Sequence, residues 1–159
     1  MSAKAIDCAA YLVAHANDEG RPIGNLQLQK LLFFAQVEYM ISHHGDRLFS
    51  DDVYAWKYGP VIPRVYAAYA HNGGSPIKRV SPIGFDEDAF AASAGPDVRE
   101  TLDGVFDEWS HRPAWALVAA SRERGMAWDL VYGRDGNGAT IDADAIMGTY
   151  GREDLAVKW

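Results

Sequence analysis

Five histidines, two acidic clusters, a lone cysteine and a glycine-rich loop are the groups in this sequence with the means to do chemistry. His15, His43, His44, His71 and His111 form no His-x-x-x-His pair and join no glutamate at zinc-ligand spacing. His43 and His44 fall where a helix should end, a place that favours cationic side chains. Asp51-Asp52 and Asp86-Glu87-Asp88 read as solvated acids on loops. Gly133 to Gly138 can be set in a calcium-loop register, with Asp135 and Asn137 at the third and fifth positions and Asp144 at the twelfth. The first ligand position is then a glycine and the twelfth carboxylate is one methylene short, so a plain turn before a helix explains the loop better. Cys8 sits among Ala5, Ile6, Ala9 and Leu12 and reads as a small core residue. No nucleophile elbow, phosphate loop or dinucleotide fingerprint is present. No catalytic residue, metal or cofactor is therefore assigned.

The segment that stands out is Trp56-Lys57-Tyr58-Gly59-Pro60-Val61-Ile62-Pro63. Two aromatics flank a lysine, Gly-Pro breaks the chain direction, and Pro63 suits the first turn of a helix carrying Val65, Tyr66, Ala68 and Tyr69. The expected form is an extended piece, a rigid corner and a helix launched from it. Residues 49–69 hold six of the nineteen aromatics. Trp and Tyr join large apolar area to one polar tip and are enriched at interface hot spots. Core support and an exposed recognition surface both remain open for Trp56 and Tyr58.

The elements that must hold this corner are mostly helical. Ser2 caps a first helix to about Ala16, with Ile6, Ala9, Val13 and Ala16 on one face. Asn25 caps a second to about His43, closed by Gly45. Leu28, Leu31, Leu32, Ala35 and Tyr39 form its stripe, and Leu26, Phe33, Val37, Met40 and Ile41 make it apolar on other sides, the mark of a central buried helix. With leucine and phenylalanine to expose and one early cation, it is no DNA-recognition helix. Val53 to Trp56 reads as a strand. Residues 75–95 read as an ordered loop with at most a short ribbon at Val80 and Ile83 to Phe85. Helices follow from Pro96 to Trp109, from Pro113 to Arg124, and after Asp142, with Trp128 leading into the glycine-rich loop. The fold class is mainly α (α+β with one or two short strands), a compact bundle around a buried central helix, with residues 1–159 as one domain.

Bulk properties agree. A chain of 159 residues with 48% hydrophobic and 23% charged content can build a core without staples. The net charge of −7 divides into +1 over residues 1–80 and −8 over residues 81–159. That balance is poorly suited to phosphate backbones and better suited to a protein partner with a basic face. One cysteine fits a reducing compartment. With neither a signal peptide nor an ~18-residue apolar span, the expectation is a soluble, cytoplasmic protein.

Leu28-Gln29-Lys30-Leu31-Leu32 with Ala35-Gln36, followed by Leu48-Phe49 and Ala55 to Pro63 with Val65-Tyr66, resembles the Panacea domain family, the SocA-like or phage-associated GepA-like antitoxins. In the family's third segment a Thr-His pair and a later Pro-Trp are usual, and this chain has Ser121-Arg122 and Ala127-Trp128. The resemblance implies an antitoxin that binds and neutralises a cognate protein toxin. One branch acts as an adaptor that hands the toxin to a cytoplasmic AAA+ protease. By the same resemblance, Lys30, Gln36, Trp56, Lys57, Tyr58, Pro60 and Pro63 are the partner-binding candidates. The alternatives are a nucleic-acid-binding regulator, which needs a clustered basic face, and a small hydrolase using His15 or His44, which needs a cleft of ionisable groups.

Overall fold

The computed structural model describes residues 3–157, with side chains described to Gly151; the expected Ser2 cap lies outside the described residues. In chain order the elements are α1 (Ala5–Asp18), α2 (Asn25–Ser42), β1 (Val53–Trp56), β2 (Gly59–Val61) and α3 (Pro63–Tyr69), which tightens into a 3-10 turn (Ala70–Asn72). Then come α4 (Glu87–Ala94), α5 (Pro96–Trp109), α6 (Ala114–Ser121), α7 (Ala127–Asp135), β3 (Ala139–Ile141) and α8 (Ala143–Val157). This is the expected mainly α architecture with a small sheet.

The apolar residues on many sides of α2 place it at the centre. Leu28, Leu31, Leu32, Phe33, Phe34, Ala35, Val37 and Met40 are all buried, and α1, α3, α5, α6, α8 and β2 pack around it. Each large side chain so buried contributes roughly 1.5–3 kcal/mol. Cys8 is buried within this core, and its burial raises the thiol pKa far above the usual range, so it is inert.

The sheet is antiparallel in the order β2-β1-β3. Trp56 faces Gly59 across the β1–β2 hairpin, so the two-residue turn is Lys57-Tyr58. This corrects the expected break at Gly59-Pro60, which instead form the edge strand, where a proline lacking its N–H is tolerated. Gly59 takes φ +109°, and this reversal is what the turn requires.

Other expectations change for identifiable reasons. Asn25 does not cap α2: its amide donates to Tyr66 O and its oxygen accepts from Gln29 Nε2, while Gln27 Oε1 takes the Gly24 N–H. Asp51 is not simply solvated. Its carboxylate accepts the Ala5 N–H at 3.0 Å, capping α1 from 46 residues away. Asp86 caps α4 through the Ala89 N–H, and so a helix stands where a loop or ribbon was expected. Helix α6 ends at Ser121, short of Arg124. The segment after Trp128 stays helical to Asp135, and Gly138 N–H then docks on Ala55 O to start β3. Gly45 and Asp142 close α2 and open α8 as expected.

Candidate functional site

The corner is held by three stretches distant in sequence that meet at Gly59. From α2, Lys30 Nζ donates to Pro60 O at 2.9 Å and Gln29 Oε1 accepts the Ile62 N–H at 3.0 Å. From α6, Ser121 Oγ lies so near that a Cβ on Gly59 would be 2.7 Å from it and 3.0 Å from Lys30 Cε. From α7, Trp128 Nε1 donates to Trp56 O at 2.8 Å. Arg122, where the resemblance has histidine, lays its guanidinium on the Trp128 ring at 4.8 Å. The edge of β2 is thereby sealed against α2, which removes an open strand edge from solvent. One step upstream, Gln36 Oε1 accepts the N–H groups of Leu48 and Phe49, and its Nε2 donates to Phe49 O.

The seven partner-binding candidates therefore divide. Lys30, Gln36 and Pro60 are buried, and this fold does not present their side chains at its surface. They hold the corner in place. Lys57 and Tyr58 form its exposed tip, with Tyr58 59% exposed and Lys57 Nζ 5.5 Å from the centre of its ring. Trp56 is half-buried and meets Tyr66 edge to face at 5.4 Å. Pro63 is half-buried at the start of α3.

Beside the tip runs a groove of about 450 Å3, lined by Leu26, Gln27, Tyr58, Tyr66, Ala70 and Ala114 among others. Leu26 and Tyr66 are more than a third exposed, and the neighbouring Trp115 is 74% exposed. This wall was not among the expected contact residues. The signal was there in part: Tyr66 lies one position off the Val65–Tyr69 pair that α3 buries, so an aromatic was being spent on a solvent face. Among the described residues no three His, Cys, Asp or Glu side chains gather as a metal site, and no helix is long and apolar enough to cross a membrane.

Lys30 has a measurable signature. Burial, and then the nearby Arg122 charge, lowers its pKa to about 7 from 10.5. Folding favours the neutral amine. Between pH 7 and 10.5 the unfolded chain binds the additional proton, so stability rises with pH across that window and is lost again as pH falls to 7. Relative to Lys30→Met, the wild-type protein is expected to gain about 2 kcal/mol between pH 7 and 9, near the limit of one proton over that range. Urea midpoints of the two proteins at each pH check this. Parallel profiles would mean that Lys30 keeps an ordinary pKa.

A family model described as antitoxin SocA-like, Panacea domain, matches residues 28–129, which contain all three stretches that meet at Gly59. Antitoxin SocA of Caulobacter vibrioides (strain NA1000 / CB15N) is 33% identical over 115 residues, covering 69% of this chain and 60% of that protein. The match thus spans about three fifths of the relative's length. No solved structure matches the chain. With the family model spanning well over half of the sequence and its segments converging on one built corner, the chain belongs to the SocA-like antitoxin family with a Panacea domain.

Proposed function

We propose that this chain is the antitoxin of a toxin–antitoxin pair, that it silences its protein toxin by direct binding without chemistry of its own, and that the toxin sits on the corner face. The observation that carries this reading is the exposed aromatic tip and groove on a rigid base. Tyr58, Tyr66 and Leu26 leave apolar area in water, while Lys30, Gln29 and Trp128 fix the backbone beneath them. Pre-set aromatic anchors bind with little ordering cost and tolerate varied partners. In this reading Trp56, Lys57, Tyr58 and Pro63 belong to the binding face, and Lys30, Gln36 and Pro60 position it.

The test is titration calorimetry of the purified chain with the toxin encoded beside it. Tyr58→Ala combined with Tyr66→Ala is expected to weaken binding by about 30-fold or more, at least the scale of one interface hot-spot truncation. Both rings are substantially exposed, so the thermal midpoint should move little. A Kd that is unchanged, or that rises only in step with lost stability, would make the corner scaffold alone.

A further inference from the structure

Acidic residues are absent from the continuous stretches of chain that supply the groove beside the corner. Its lining comes from residues 24–27, 58–76 and Ala114, which lie within the acid-free stretches 20–37, 53–85 and 111–122. These stretches hold eight Lys/Arg and no Asp or Glu, whereas the rest of the chain holds seven Lys/Arg and twenty-two Asp/Glu. Of the eight, Lys30 is buried and the other seven are exposed. Lys57 stands over the Tyr58 ring. The carbonyl of Arg112 accepts from Gln27 Nε2, which lines the groove, and its guanidinium rests on Trp109 at 4.3 Å. A second groove, of about 340 Å3, is lined by Glu38, Glu100 and Glu108 with Val105 as its one large apolar residue. The two differ in what they offer: the first has aromatic and aliphatic walls with basic neighbours, the second is acidic and mostly polar.

We infer that the groove between the start of α2 and the hairpin tip takes an acidic, aromatic-bearing segment of the partner protein. The inference rests on the antitoxin reading and specifies the chemistry of what that reading places there. Apolar burial against Leu26, Tyr58 and Tyr66 supplies affinity, and carboxylates facing Lys57 and Arg112 supply orientation and rate. A basic segment is disfavoured at this groove, since no acid within its three stretches would face it. Nucleic acid also combines stacking with cations, but it needs a track of free cations along the backbone. Here the remainder of the chain carries a net charge of −15 that repels phosphate.

The experiment titrates three labelled probes into the full chain: a twelve-residue peptide of alternating Glu and Phe/Leu, the same peptide with Lys for Glu, and a single-stranded oligothymidine. The acidic peptide is expected to bind, and to bind about tenfold less well in 500 mM than in 50 mM NaCl. Lys57→Glu with Arg112→Glu should weaken it about tenfold or more at low salt, beyond any change that thermal melts assign to the lost Trp109 stacking. Glu100→Lys with Glu108→Lys should leave it unchanged. Equal or tighter binding of the basic peptide or of the oligothymidine overturns the inference, as does self-association of the chain that the groove reversal abolishes. The toxin itself separates the two levels. If it binds but responds to the Glu100/Glu108 reversal and not to the Lys57/Arg112 reversal, this inference fails and the antitoxin reading stands. If it does not bind the wild-type chain at all, both fall.

Discussion

Replacing Gly59 by alanine is expected to cost about 3–5 kcal/mol, a large share of the ~5–15 kcal/mol that holds a domain of this size folded. Two independent causes add. The residue sits at φ +109°, a region that L side chains adopt only under strain, and such strain is worth about 1–3 kcal/mol. The new methyl would also stand 2.7 Å from Ser121 Oγ and 3.0 Å from Lys30 Cε. Neither neighbour is free to swing away. Ser121 Oγ donates to Val118 O at 2.9 Å, and the end of Lys30 is tied to Pro60 O. Overpacking of this kind adds about 1–3 kcal/mol. Gly45 supplies the control, because at φ +92° a methyl added there would meet no atom within 4 Å. Gly45→Ala should therefore show the backbone cost alone. The two causes separate further in Gly59→Ala with Ser121→Gly, which removes the closest collision and should recover part of the crowding loss but none of the strain. Urea denaturation midpoints decide the matter. Equal losses at Gly59 and Gly45 would show that the three stretches do not press on one another as described.

That junction explains why the corner's importance was legible in the sequence and its construction was not. Periodicity revealed α1, α2 and α5 because each buries a stripe or more of its own surface, and Pro63 and Pro96 marked the starts of α3 and α5. It could not reveal α4, whose residues are all at least partly exposed and whose start depends on Asp86 closing its own first turn. Nor could it reveal β3, three residues whose strand character comes from pairing with β1. The same limit applies to the site. Lys30 and Gln36 look like surface residues by type, since lysine and glutamine are seldom fully buried. What buries them is the need of the β2 and Leu48-Phe49 backbones for donors and acceptors, a need visible only once the elements are assembled. Tyr58 is the opposite case. It fell at the two-residue turn, where no neighbouring strand can cover it. Turn register, which depended on Gly59 absorbing the reversal, decided its exposure.

Gln36 yields the second large effect, and it separates support from contact. One side chain satisfies three buried backbone groups: the N–H of Leu48 at 2.8 Å, the N–H of Phe49 at 3.2 Å and the carbonyl of Phe49 at 3.0 Å. Gln36→Leu keeps the volume and leaves all three without their partner. At about 1–3 kcal/mol for each unsatisfied group, and with less than full additivity inside one cluster, the expected loss is about 3–5 kcal/mol. At a pH low enough to keep the new carboxyl protonated, Gln36→Glu retains both acceptor bonds and offers its O–H to Phe49 O, so its loss should be smaller there. Ionised, it buries a charge against the Phe49 carbonyl. The order wild type, Glu, Leu in urea midpoint at that low pH is the prediction, and a Leu variant within about 1 kcal/mol of wild type would mean that other groups take over the three bonds. The consequence for binding follows from what the segment holds. Leu48-Phe49 leads through Asp51, which caps α1, into β1 and so to the tip. Gln36→Leu should therefore weaken partner binding only as far as it lowers the folded fraction, and binding should return at low temperature where the variant is folded. Tyr58→Ala should weaken binding at every temperature with little change in stability. A Gln36 variant that stays folded yet loses its partner would return this residue to the interface, and would require the corner to open when the partner binds.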